Sequence, residues 1–311
     1  MNRRTWYKLI ILAALSALLF LFVPEDQGSI LMLGALPFSL LGNGLRALSL
    51  SGDGGNAAAI AIYVVICLLP LVPLLRKDRV RADWVLALGS PVLFYVLYLM
   101  INPGLMPAGM GGDVGKMILS GTVYSVFLTW GALRLLHWGQ EEGNGYRALR
   151  VLLAACAAVY VVAGVGVGAG ELKAQLLTVK AGNTMPGQHL TMTYVFAVLC
   201  FAVQALEFLL DAALLLRGLG LAKQLEHAPY SDGCVATAGE LSRKARQYLA
   251  VILFSNMGLN IAQVLAASRL YHIDATVRIP VFSAALCFGC MVLTRLLGQG
   301  KELKEENDLY I

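Results

Sequence analysis

The chain has 311 residues, 58 % of them hydrophobic and 14 % charged, with a mean hydropathy of +0.71. An ordinary soluble domain is about one-quarter charged and under half apolar, so 24 basic and 19 acidic side chains cannot cover this much apolar surface in soluble domains. The composition is that of a polytopic membrane protein, and a net charge of +5 is too small to call for a nucleic-acid partner.

A hydrocarbon core about 30 Å thick takes about 20 apolar residues as a helix. Eight runs meet that need: residues 7–23, 57–75, 84–101, 117–136, 152–170, 191–216, 248–267 and 281–297. A further apolar stretch, 29–50, holds Pro37, Gly42, Asn43, Gly44 and Arg46, which make it a poor span and a better re-entrant or interfacial element on the outer face. Pro24-Glu25-Asp26 offers no small-x-small cleavage site, so the first helix is expected to stay uncleaved.

Charge sets the orientation. With a cytoplasmic N-terminus and eight crossings, the inner segments hold Arg3, Arg4 and Lys8, then Arg76, Lys77, Arg79 and Arg81, then Arg134, Arg147 and Arg150. They continue with Arg217, Lys223, Arg243, Lys244 and Arg246, and end with Arg295, Lys301 and Lys304. Three quarters of the 24 basic residues then lie inside, leaving Arg46, Lys116, Lys173, Lys180, Arg269 and Arg278 outside. Both termini are expected in the cytoplasm, and the basicity is an orientation signal rather than a binding patch. Cys67, Cys156, Cys200, Cys234, Cys287 and Cys290 fall in helices or inner loops, so no disulfide framework is expected.

The eight helices divide into 1–145, carrying the outer element, and 146–311, carrying an inner loop 217–247 and an inner tail 301–311. Each half exits with a similar signature, Arg134-Leu135-Leu136 and Arg295-Leu296-Leu297. Because four crossings restore the original side, such halves would be parallel repeats. Arg-Leu-Leu at an inner helix end is also common without duplication, and both readings stand.

Two segments of the second half carry a resemblance: Pro229-Tyr230-Ser231 in the loop, and the tail from Gly300-Lys301-Glu302-Leu303 through Asn307-Asp308-Leu309-Tyr310-Ile311. From about residue 146 to 311 the chain resembles a bacterial family of four-helix membrane proteins of unknown function. That family usually has Phe where Tyr230 stands and Thr where Tyr310 stands. Its members are often encoded beside a small helix-turn-helix regulator, so the resemblance implies a regulatory or envelope-response role in the cytoplasmic membrane.

Several apparent chemical motifs fail on context. Gly164-Val165-Gly166-Val167-Gly168-Ala169 has the letters of a dinucleotide fingerprint but lies within a span with no preceding strand, so close helix packing through small residues explains it better. Gly115-Lys116 lacks the flanking residues of a P-loop. Cys287-Phe288-Gly289-Cys290 has redox spacing in an apolar helix without an electropositive neighbour, and it reads as packing. His137, His189, His227 and His272 never pair at metal-ligand spacing, so neither a metal site nor another cofactor is expected.

One constellation remains. Gln204, Glu207 and Asp211 share a narrow stripe of the sixth span, and Asn256, Asn260 and Gln263 share one on the seventh. Measured from Arg217 and Arg246, Glu207 and Asn256 both lie about 15 Å into the membrane, and Gln204 and Asn260 about 20 Å. The stripes are therefore level and expected to face one another. Acids at this depth are functional candidates, forming a protonatable or cation-binding site, or else polar glue in which a neutral Glu207 donates to Asn256. Arg46 is a second candidate, holding a lipid phosphate or carboxylate, or pairing with Asp53.

The expectation is thus an all-α, eight-span protein with one outer element. Its partners are the lipid bilayer and a cytoplasmic regulator that engages 217–247 and 301–311. The leading function is a membrane sensor or regulatory partner. The alternatives are a small-solute or proton-coupled carrier using Glu207 and Asp211, and an intramembrane lipid-modifying enzyme. For the last, no catalytic residue can be named, because no nucleophile–base pair is legible. Oligomeric state is not encoded in any pattern here.

Overall fold

Runs of Leu, Ala, Val and Ile satisfy their backbone polar groups within a helix where water is absent. Every element among the described residues is accordingly helical. The computed structural model describes residues 3–21, 31–107, 112–182, 190–270 and 279–309. Its helices gather into two units, one formed by Met1–Phe22 with Gly145–Ile311 and the other by Val23–Asn144.

The first unit contains α1 (Arg3–Leu21), α6 (Gly145–Val161), α7 (Gly168–Gly182), α8 (Thr191–His227), α9 (Asp232–Ala266) and α10 (Val281–Asp308). A π turn over Val162–Val167 joins α6 to α7, so the two form a single rod over Gly145–Gly182. The expectation placed the first helix with residues up to 145, whereas α1 packs in the unit of residues 145–311. Contacts at and around the π turn hold α1 there. Ser16 of α1 donates to the carbonyl of Val162 at 3.2 Å, and Leu9 and Ala13 share a core with Ala157, Val161, Val165 and Ala212.

The glycine-rich run supplies the room for this packing. A Cβ at Gly164 would fall inside the Phe208 ring, and one at Gly166 would meet Ser16 and Phe20. Gly164→Ala is expected to lower stability by about 1–3 kcal/mol through overpacking, because the atoms it meets include the root of the ring. Thermal unfolding of the detergent-solubilised protein checks this, with Gly220→Ala as a control, since a Cβ there meets open space.

The expected loop 217–247 and tail 301–311 are mostly helix. α8 runs on through Arg217 to His227, α9 begins at Asp232, and α10 continues to Asp308. Only 228–231 turns. Leu, Ala, Lys, Gln, Glu and Arg dominate these stretches and are good helix formers, so charge ends the apolar run without ending the helix. Pro229 follows the end of α8, and Ser231 caps α9 by accepting from Cys234 N at 3.3 Å. Arg217 pairs with Glu240, Lys301 with Asp232, and Glu226 with Arg147 and Arg150. Leu221, Cys234, Ala238, Leu241 and Leu297 are buried between the helices, and the Tyr230 ring lies on Gly300. These extensions thus form a packed three-helix head.

The second unit contains α2 (Leu31–Ser49), α3 (Asp53–Leu68), α4 (Val85–Ile101) and α5 (Gly112–Gln140). Pro70 and Pro73 tighten the continuation of α3 into a 3-10 segment, Leu69–Leu75. The stretch 29–50 is corrected in part. Over Leu31–Ser49 it is one uninterrupted helix rather than a re-entrant turn, and residues 29–30 lie outside the described residues. Pro37 removes a single N–H, while Gly42 lets α2 approach α4 so closely that a Cβ would sit 2.7 Å from Met100 Cβ. Gly34 reaches Met117, and Phe38 meets Tyr124 at 5.4 Å between ring centroids. The four-helix set of this unit is therefore α2 to α5, which replaces the expected set that began with the first helix.

Seven helices among the described residues are long and apolar enough to cross a membrane, within Asp53–Leu75, Arg81–Ile101, Val114–Gln140, Gly145–Gly182, Thr191–His227, Asp232–Ala266 and Val281–Asp308. They cover seven of the eight expected spans, 248–267 to within its last residue. The remaining one, the first, corresponds to the shorter apolar helix Trp6–Leu21. The molecule is all-helical and has the character of a multi-pass membrane protein.

Asp83 fixes the start of α4. It is 3 % exposed and lies in the short 3-10 turn Arg81–Trp84. Its carboxylate accepts from Val80 N at 2.8 Å, from Trp130 Nε1 at 3.0 Å and from Arg134 Nη1 at 3.4 Å, so it ties the turn to α5.

Candidate functional site

The level of the two polar stripes follows from the α8–α9 register. These helices run antiparallel, and Gln263 Nε2 donates to Cys200 Sγ at 3.1 Å. Counting equal steps from that pair in opposite directions sets Glu207 level with Asn256. Among the printed contacts the α9 stripe meets α8 through Gln263 and Cys200, rather than through Gln204, Glu207 or Asp211. Asn256 donates to the carbonyl of Ile252 in its own helix at 3.1 Å, and Asn260 is half-buried. Asp211, only 2 % exposed, accepts from Ser283 Oγ of α10 at 2.7 Å.

The turn of α8 relates its contacts at Cys200 and Asp211. Asp211 lies three turns beyond Cys200, and eleven steps of 100° return to within about 20° of the same face. That face meets α9 at Cys200 and α10 at Asp211, while the α8–α9 contact has moved round to Arg217–Glu240 by the head. The crossing of α8 and α9 therefore passes one polar stripe from α9 to α10. Gln204 stays on the α7 side, with its carboxamide carbon 3.8 Å from where a Cβ would stand on Gly168. Of the six residues, Asp211 meets α10 at Ser283, Gln263 meets α8 at Cys200, and Asn256 bonds within α9.

Tyr160, Phe282 and Ser283 complete the carboxyl pair's surroundings. Tyr160 of α6 stacks on Phe282 of α10 at 4.4 Å and 28°, and its ring lies 5.5 Å from Phe208. Sequence reading did not single out these three residues. Ser283 had a signal, as a lone hydroxyl early in an apolar helix, whereas Tyr160 had none beyond its phenol.

Beyond this cluster, toward the head, α6 and α10 flank α8 and leave a cleft of about 350 Å³ lined by Leu153, Leu215, Gly218, Leu286, Gly289 and Leu293. Phe282 also lines it, and Arg150 pairs with Glu226 at 3.0 Å just past its other end. The site therefore joins a carboxyl pair and two hydroxyls to an aliphatic cleft. Such an arrangement can hold a proton or a small cation beside a lipid-like surface.

The second sequence candidate resolves differently. Arg46 Nη1 donates to the carbonyl of Ile101, the last residue of α4, at 2.9 Å rather than turning to Asp53, which begins α3. Comparison with protein-family models, with curated proteins and with solved structures finds no match to this chain, and nothing in it identifies a family for the C-terminal half.

Proposed function

We propose that this protein is a membrane sensor or regulatory partner in the bacterial cytoplasmic membrane, with both termini and the three-helix head in the cytoplasm. The observation that carries this reading is that α8, α9 and α10 run unbroken from their apolar stretches into the head. A change at the Asp211–Ser283 contact is thereby coupled mechanically to the surface around 228–231. The three-quarter bias of basic residues supports the orientation. The resemblance of residues 146–311 to a family encoded beside small regulators points the same way. In this reading eight helices cross, and α2 lies in the outer leaflet. The contacts of α2 at Met100, Ile101, Met117 and Tyr124, on the last turn of α4 and the first half of α5, favour that placement.

The test uses full-length protein in its native membrane. A membrane-impermeant maleimide is expected to label Ser51→Cys but not Ala236→Cys in intact cells, both positions being exposed. A photo-crosslinker at Ala236 or Glu302 is expected to give a discrete protein adduct that the same group at Leu265 does not give. Labelling of both cysteines from one side overturns the orientation, and absence of any protein adduct from the head overturns the regulatory role.

A second reading has one specific observation in its favour. A carboxyl as buried as Asp211, hydrogen-bonded to a hydroxyl with Glu207 one turn away, also suits a proton-coupled carrier.

A further inference from the structure

The unit Val23–Asn144 holds a basic recess that the regulatory reading does not use. It encloses about 650 Å³ between residues 78–81, which lead into α4, and the last turns of α5. Arg79, Arg81 and Arg134 line it together with His137, Asp78 and Glu141. Two of the guanidinium groups are held in place by fixed neighbours. Arg79 lies 5.9 Å over the Trp84 ring, and Arg134 is tied to buried Asp83, which also fixes the loop through Val80 N. Among the described residues Arg79 and Arg81 make no ion pair, although two carboxylates line the same recess.

Planar guanidinium groups converging on one space suit an oxyanion, above all a phosphate with several oxygens to accept from them. The rim narrows the source of that phosphate. Trp84 is 58 % exposed, and Leu88 on the next turn is 67 % exposed, so an apolar face of α4 begins where the arginines end. A free phosphate ion has no use for such a face, whereas a phospholipid places its phosphate and its acyl chains in this order.

We propose that this recess binds an anionic phospholipid, with its phosphate on Arg79, Arg81 and Arg134 and its chains along Trp84 and Leu88. The proposal is independent of the regulatory reading. Native mass spectrometry of the full-length protein, titrated with phosphatidylglycerol or with phosphatidylcholine, tests it. Phosphatidylglycerol is expected to bind at least about tenfold more tightly, the scale of two or three arginines meeting a net negative headgroup. Arg79→Gln combined with Arg81→Gln is expected to abolish that preference, and Asp78→Asn to strengthen it by removing a competing carboxylate. The Asp78 variant adds affinity rather than removing it, so the proposal stays testable if the double variant fails to fold. Equal binding of the two lipids, a preference that survives the double variant, or a preference that Asp78→Asn leaves unchanged overturns the proposal. Glycerol phosphate displacing the lipid at equal concentration overturns the lipid source.

Discussion

Asp211→Ala is expected to destabilise the Gly145–Ile311 unit by about 2–4 kcal/mol, while Asp211→Asn leaves its unfolding temperature close to that of the native chain. Alanine removes the acceptor of the Ser283 hydroxyl and leaves that hydroxyl buried, since Ser283 is itself 3 % exposed. It also opens a cavity between α8 and α10. Asparagine keeps a carbonyl oxygen for Ser283 and nearly the same volume but cannot carry an exchangeable carboxyl proton. Thermal unfolding in detergent measures the first effect, and a cellular phenotype measures what is left. A phenotype lost with the stable asparagine variant assigns Asp211 a protonation role, as the carrier reading requires. A phenotype that survives it reduces the Asp211–Ser283 contact to a helix tie. Glu207→Gln is the milder companion, because Glu207 is only half-buried.

Asp83→Ala is expected to cost about 3–5 kcal/mol, the largest single effect in the Val23–Asn144 unit. One carboxylate serves three donors there, so alanine strands the Val80 and Trp130 N–H groups and leaves Arg134 without its partner. Arg134 keeps 38 % of its side chain exposed, so water recovers part of the loss and the lower end of the range is the better guide. Asp83→Asn is expected to fall between alanine and the native residue, because one carboxylate oxygen becomes a donor facing other donors. Thermal unfolding of the detergent-solubilised protein measures the cost, and tryptophan fluorescence in a variant that keeps only Trp130 of the four tryptophans reports on its contact.

The register of α8 against α9 was legible in the sequence, and the partner of each polar side chain was not. Glu207 and Asn256 could be placed level because arginines mark the membrane surface and a helix rises by a constant step. Which neighbour each stripe faces depends on how α8 and α9 cross, and no periodicity within one helix records that angle. The role of Asp83 carries no local signal, because its partners Trp130 and Arg134 are about fifty residues away in the chain. The head was mistaken for a loop and a tail because Arg, Lys and Glu were read as the end of a helix when they mark only the end of the lipid. Pro37 and the glycines of 29–50 were read as turning points, although a helix tolerates them when a neighbour such as Met100 uses the space. The partner of α1 was also hidden, because Ser16 and Val162 lie 146 residues apart in the chain.

The length of α8 past Asp211 makes it a lever. From Asp211 to the end of the helix at His227 is about 24 Å of rigid rod at 1.5 Å per residue. A tilt of about 10° pivoting at the Ser283 contact swings its tip by about 4 Å, more than a hydrogen-bond length. Under the proposed regulatory reading, a tilt set off by exchanging one buried hydrogen bond would therefore reach the far end as a displacement large enough to make or break a protein contact.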